Sequence, residues 1–181
     1  MKLEEEILLK RLQDPKTLKK AFRELVTLYK ERLYWHIRNM VKDHDDSDDI
    51  LQNTFIKIFN NIHSFKGDSQ LYSWMYRIAT NESLTFLNNK SKRVHLNSEE
   101  LQKNLIENLE SDVYFEGDEI QLKLQKAIAI LPEKQQLVFN MKYFQELKYR
   151  EMSSILGTSE GALKASYHIA VKKIEEFLKM D

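Results

Sequence analysis

Apolar residues recur at intervals of three and four along most of the chain. Between Ala21 and Val41, the residues Phe22, Leu25, Val26, Tyr29, Leu33, Ile37, Met40 and Val41 share one helical face, which predicts a long amphipathic helix. Asp43-His44-Asp45-Asp46-Ser47-Asp48-Asp49 interrupts that period, and Ile50, Leu51, Phe55, Ile58, Phe59 and Ile62 restart it. Asp46 or Ser47 is the expected N-cap, placing Asp48 and Asp49 in the first turn, where carboxylates meet the positive helix end. Phe65-Lys66-Gly67 makes the next break. Asp68 or Ser69 is expected to cap a further helix marked by Leu71, Trp74, Met75, Ile78, Ala79 and Leu87 and running towards Asn89. A short helix over residues 3–12 precedes these.

The period returns from Ile120 to Leu131, and Pro132 suits the first position of the next helix, which runs to about Tyr143. The segment from Tyr149 to Ile174 reads as helix, glycine-containing turn, helix. Gly157 fits a left-handed C-cap, Thr158 or Ser159 an N-cap, and Ile155, Leu163 and Ile174 the packing between the two helices. The second helix carries Lys164, Tyr167, His168, Lys172 and Lys173, groups that reach bases and phosphates in a major groove. An ordinary helical hairpin with a solvated lysine face has the same local pattern.

Composition narrows the class. The chain has 181 residues, no cysteine, four glycines and two prolines. That excludes disulfide and collagenous scaffolds and leaves little material for hairpin turns or phosphate-cradling loops, so an all-α protein is expected. No apolar run is long enough to span a bilayer. The N-terminus lacks the basic-then-apolar layout of a secretion signal, making the cytoplasm the expected compartment, without stable membrane insertion. The 28 basic and 28 acidic residues cancel overall but not locally. Residues 1–97 carry 17 basic and 13 acidic groups, residues 98–119 carry 1 and 8, and residues 120–181 carry 10 and 7. An acidic middle between two mildly basic ends suggests a linker joining two modules. It reads either as a solvated connector or as a segment that occupies a basic groove on a partner.

Few residues suggest catalysis. The Asp43–Asp49 cluster lacks the alternating ligands, central glycine and distal glutamate of a calcium loop. Helix capping with a solvated loop, a metal site and a polar docking face all remain open for it. His36, His44, His63, His95 and His168 show no zinc spacing, and no nucleophile elbow or phosphate loop is present. Tyr72, Trp74, Tyr76 and Phe86 interleave with Arg77, Asn81, Lys90, Lys92 and Arg93. Helical phase sends Trp74 and Phe86 towards a core; Tyr72, Tyr76 and Asn81 read either as ordinary helix positions or as an outward face that stacks unpaired bases beside phosphate-neutralising cations.

The order of the pieces carries more information than any one of them. Asp49-Ile50-Leu51-Gln52-Asn53-Thr54-Phe55, Phe65-Lys66-Gly67-Asp68-Ser69, Trp74-Met75-Tyr76-Arg77-Ile78-Ala79-Thr80-Asn81, Leu131-Pro132-Glu133-Lys134-Gln135-Gln136 and the terminal helix-turn-helix follow one another. Over roughly residues 18–179 this resembles the extracytoplasmic-function sigma factors, small members of the sigma-70 family. The resemblance implies two small helical domains and no cofactor: a region 2-like bundle at 1–97, an acidic linker at 98–119, and a region 4-like domain at 120–181. It further implies that Asp49, Gln52 and Asn53 dock on core RNA polymerase. Lys66, Asp68, Ser69, Tyr72, Tyr76, Arg77 and Asn81 would take the unpaired minus-ten strand, with one base flipped into a loop pocket. Ser159, Glu160, Lys164, His168, Lys172 and Lys173 would read the minus-thirty-five duplex. The linker would lie in the polymerase's active-centre and RNA-exit channel, and an anti-sigma factor is the expected inhibitor. Asn53 stands where glutamate is common, Thr85 and Asn88 replace an aspartate and an arginine, and Ser166, Ile169 and Val171 stand where many members have arginine.

On this reading the protein binds polymerase and promoter DNA and is not an enzyme. A stand-alone two-domain regulator would instead bind duplex DNA without polymerase, and a helical hydrolase would use the aspartate cluster with a metal.

Overall fold

The turn Asp14-Pro15-Lys16-Thr17 folds the first two helices into an antiparallel pair. Asp14 accepts from the backbone of Lys16 at 2.9 Å, and Thr17 Oγ1 reaches back to the Arg11 carbonyl at 2.7 Å. In the computed structural model, which describes residues 2–67, 69–93, 100, 103, 106–107 and 119–179, helix α1 (Lys2–Gln13) and helix α2 (Leu18–Val41) flank this turn. Helix α3 (His44–Asn61), a 3-10 turn (Ile62–Ser64) and helix α4 (Leu71–Arg93) complete the N-terminal bundle. Helices α5 (Glu119–Ala129), α6 (Glu133–Tyr143), α7 (Tyr149–Leu156) and α8 (Glu160–Leu178) form the C-terminal part. Most of the acidic segment 98–119, and Asp68, lie outside the described residues.

Three helix starts differ from the sequence reading. The N-cap of α3 is Asp43 rather than Asp46 or Ser47. Lys42 takes a left-handed conformation, φ 59°, which turns the chain so that the Asp43 carboxylate accepts from the Asp46 amide at 2.9 Å. Asp45 and Asp46 therefore occupy the first turn. Helix α4 starts at Leu71, beyond Ser69, because the first free amide is taken by a distant side chain: Glu5 of α1 accepts from Leu71 at 2.7 Å. Pro132 is the N-cap of α6, not its first residue, and Gln136 Nε2 ties the end of α5 to this turn by donating to the Ala129 and Leu131 carbonyls at 2.8 and 2.9 Å.

The apolar stripe of α2 packs on α3 and α4 through Leu25, Leu33, Ile37, Ile50, Ile58, Leu71 and Met75. This core does not stop at the bundle. It continues into Leu137, Val138 and Met141 of α6, Leu147, Met152 and Ile155 around α7, and Leu163 of α8. A smaller cluster, Ala127, Ile128, Leu131, Phe139, Ala170 and Ile174, holds α5, α6 and α8 together.

The seam between the two parts is polar where it meets α2 and α4. His36, fully buried, bonds Thr80 Oγ1 of α4 through Nε2 at 2.8 Å and Gln145 of the α6–α7 turn through Nδ1 at 2.7 Å. Asn140 donates to the Asn39 carbonyl at 3.1 Å, and buried Lys42 donates to Gln125 Oε1 at 2.6 Å. Burial pushes the His36 imidazole down to about 4. Burial, aided by the Arg38 charge, pushes Lys42 down to about 7.

Both groups release a proton on folding, since desolvation favours their neutral forms. The unfolded imidazole takes up a proton near pH 6.5, so His36's contribution is present above that value and is lost as pH falls towards 4; Lys42 adds stability as pH rises from 7 towards 10.5. Denaturant melts at pH 7 and pH 5 should show wild type losing about 2 kcal/mol more than His36→Gln over that interval. Parallel losses in the two proteins would remove His36 as the acid-sensitive group.

Candidate polymerase and nucleic-acid interfaces

The first candidate surface is the outer face of α3. Ile50, Leu51, Thr54 and Ile58 turn inward, so Asp49, Gln52 and Asn53 are all exposed, and Ile56 extends their stripe with 52% of its surface open. Residues 49, 52, 53 and 56 lie on one helical face. Three polar side chains beside an open isoleucine suit a protein partner better than a catalytic pocket. The neighbouring carboxylates have structural duties. Asp43 caps the helix, and Asp46 pairs with Lys90 of α4 at 2.6 Å. Among the described residues no group of three or more His, Cys, Asp or Glu side chains is placed to hold a metal ion.

The second surface is the loop after the 3-10 turn and the outer face of α4. Gly67 takes φ 78°, a conformation that favours glycine, and leaves Lys66 exposed at the loop tip. Ser69 and Tyr72 are half-buried, while Arg77 and Asn81 are exposed. Tyr76 does not face outward. It is 1% exposed, its ring lies 4.8 Å from that of His36, and its hydroxyl donates to the Arg32 carbonyl at 3.3 Å. The helical phase of Met75 and Ala79 carries Tyr76 into the wedge between α2 and α4, where a hydroxyl with a backbone acceptor is cheap to bury. Trp74 and Phe86 are half-buried against the core, with Trp74 beside Phe65 at 5.3 Å.

Arg77 and Tyr72 are engaged from the C-terminal part. The Arg77 guanidinium donates to the Ser154 carbonyl of α7. Burial, and then the influence of Glu151 of α7, hold the Tyr72 phenol above its ordinary value. These contacts, like those of His36, Lys42, Gln125 and Gln145, leave no local trace in the sequence, because each pairs residues far apart along the chain.

The third surface is α8. Gly157, φ 64°, ends α7, and Ser159 accepts from the Ala162 amide at 3.3 Å to start α8. Ile155 and Leu163 are buried between the helices. Ser159, Glu160, Lys164, His168, Lys172 and Lys173 are all exposed, and positions 164, 168 and 172 form one stripe. The Lys164 ammonium sits over the Tyr149 ring at 5.6 Å. Tyr167 turns inward and stacks on Phe139, centroids 5.8 Å apart.

An exposed polar face on α3, a helix α4 with Arg77 and Asn81 exposed, and a helix-turn-helix therefore follow one another along the chain. Two family models match it: sigma-70 region 2 over residues 25–93 and sigma-70 region 4 over residues 121–174, together well over half of the chain. The chain belongs to the sigma-70 family. It is an RNA polymerase sigma factor of the extracytoplasmic-function class, acting in transcription initiation. The chain is similar to the ECF RNA polymerase sigma factor SigW of Bacillus subtilis, 29% identical over 156 residues, covering 82% of this chain and 83% of the relative. It is also similar to the RNA polymerase sigma-H factor of Pseudomonas aeruginosa, 26% identical over 169 residues, with 89% and 88% covered. The sigma factor RpoE of Bartonella quintana, solved in complex with the anti-sigma factor NepR, shares the fold with a TM-score of 0.69 and 19% identity, over 90% of this chain and 99% of that one.

The buried position of Tyr76 makes it part of the sigma factor's core rather than a platform for bases. Tyr76→Phe should retain promoter opening in a transcription assay and melt within about 1 kcal/mol of wild type. Tyr76→Ala should lose about 3–5 kcal/mol of unfolding free energy in denaturant melts, the cost of emptying a large aromatic site.

Proposed function

We propose that this sigma factor rests in a closed form, in which α7 covers the strand-reading helix α4, and that productive binding to core RNA polymerase parts the two modules. The engagement of Arg77 by α7 carries this reading, because that side chain is among those that would contact the unpaired strand. In the open form Asp49, Gln52 and Asn53, with Ile56, dock on core polymerase. Lys66, Asp68, Ser69, Tyr72, Arg77 and Asn81 take the unpaired minus-ten strand, and Tyr76 supports them from beneath. Ser159 and Glu160 meet the minus-thirty-five duplex at the start of α8, while Lys164, His168, Lys172 and Lys173 reach along its groove. The acidic segment 98–119 enters the polymerase's active-centre and RNA-exit channel. The chemistry of RNA synthesis belongs to the polymerase, so the sigma factor itself catalyses nothing and needs no cofactor.

The polar seam suits a contact that must break. Asn140 Oδ1 and Gln145 Oε1 are buried there with no partner among the described residues. Each orphaned acceptor costs about 1–3 kcal/mol, and parting the modules returns it to water, which offsets part of the apolar burial lost from the core that crosses the seam. An anti-sigma factor that grips both modules would act by holding this closed arrangement. The solved complex of the fold relative RpoE with an anti-sigma factor supports such a partner. The working compartment would be the cytoplasm, where polymerase and promoter DNA are; among the described residues no helix is long and apolar enough to cross a membrane.

Two experiments test the reading. In a chain without native cysteine, Lys42→Cys with Gln125→Cys supplies a unique thiol pair across the seam. Joined by a reducible bifunctional reagent, this variant should fail to support promoter-dependent transcription and recover on reduction; full activity while joined would reject the need to open. Replacing Asp49, Gln52 and Asn53 together by alanine should weaken retention of purified core polymerase about tenfold or more without changing the melting temperature. Unchanged retention would move docking to another face.

A further inference from the structure

A shallow pocket of about 250 Å³ lies between α1 and the loop that follows the 3-10 turn. One wall is Phe65, Lys66 and Gly67; the other is Glu6, Leu9, Lys10 and Gln13. The α1 residues stand at intervals of three, one and three, so a single helical face points into the pocket. That face is held in place at both ends. Glu5 Oε1 accepts from the Leu71 amide at 2.7 Å, and Gln13 Nε2 donates to the Phe65 carbonyl at 3.3 Å. Helix α1 also lies outside the segment matched by the region 2 model, which begins at residue 25. The N-terminal helix thus contributes this wall from outside the segment matched by that model.

The pocket's chemistry is that of a nucleotide receptacle. Its volume is below the range of sites for drug-sized ligands and suits one base. Leu9 and Phe65 supply apolar surface, the Glu6 carboxylate accepts hydrogen bonds, and the Lys10 and Lys66 ammonium groups at the rim donate them to oxygen and nitrogen acceptors on a base edge. Gly67 at the mouth has no atom within 4 Å of where a Cβ would stand, so the entrance is open. We infer that α1 forms the second wall of the pocket that takes the unpaired minus-ten base, and that Glu6 and Lys10 determine which base it accepts. This rests on the strand-reading role proposed above for the loop at Lys66. A carboxylate acceptor favours a base bearing an exocyclic amine over thymine.

The test uses holoenzyme assembled from bacterial core polymerase and the full chain, transcribing a promoter library randomised through both elements. Glu6→Gln and Lys10→Ala, both at exposed positions, should change base preference at a single minus-ten position by about three- to tenfold and leave every other position unchanged. Lys66→Ala in the loop should alter preference at the same position. If Lys66→Ala alters it and the α1 variants keep the wild-type profile, the inference fails while the proposed function stands. A uniform loss of transcripts in the α1 variants would give α1 a merely structural role and also overturn it. A wild-type holoenzyme that selects no promoter sequence would overturn the proposed function, and the inference with it.

Discussion

Helix α2 has to satisfy two partners at once, and the rest of the structure follows from how it does so. One face carries the apolar stripe that closes on α3 and α4. Its last two turns and the C-cap residue Lys42 present an imidazole, a backbone carbonyl and an ammonium, each answered by a side chain from the C-terminal part: Gln145, Asn140 and Gln125. Apolar packing is indifferent to direction, but a buried hydrogen bond is not, so these three pairings select one orientation of the C-terminal module out of many that would bury similar area. In that orientation α7 lies on α4 and α8 turns its cationic stripe outward.

The arrangement separates two kinds of contact. Within each module the core is mainly apolar, with a few buried hydroxyls such as those of Ser47, Thr54 and Ser83. Between modules, apolar burial is accompanied by desolvated ionisable groups and by amide oxygens that find no partner among the described residues. Both features reduce the net gain from docking. A contact built this way is specific in geometry yet limited in strength.

Reading the chain locally recovered the helices and the exposed faces because both are set by short-range rules. Periods of three and four placed α2, α3 and α4, Gly157 and Ser159 fixed the turn of the helix-turn-helix, and the stripes at Asp49-Gln52-Asn53 and Lys164-His168-Lys172 are exposed as their phase requires. Local reading failed where a distant residue intervened. The start of α4 depends on Glu5, sixty-six residues away, and no rule of capping within the segment includes it. The strand-reading set implied by the resemblance includes Tyr76 beside Tyr72, Arg77 and Asn81, yet the wedge between α2 and α4 has room for its ring and an acceptor for its hydroxyl.

The sequence by itself determined an all-helical chain of two basic modules around an acidic segment, the helix-turn-helix, and the family, since periodicity, capping chemistry and motif order are all encoded within neighbouring residues. Only the tertiary structure decided that one apolar core crosses the modules, that His36 and Lys42 lose their water at the seam, that Arg77 is engaged by α7, and that α1 walls the loop beside Lys66. Each of these joins residues tens of positions apart. Their energies depend on burial and mutual orientation, which have no counterpart in the order of residues along the chain.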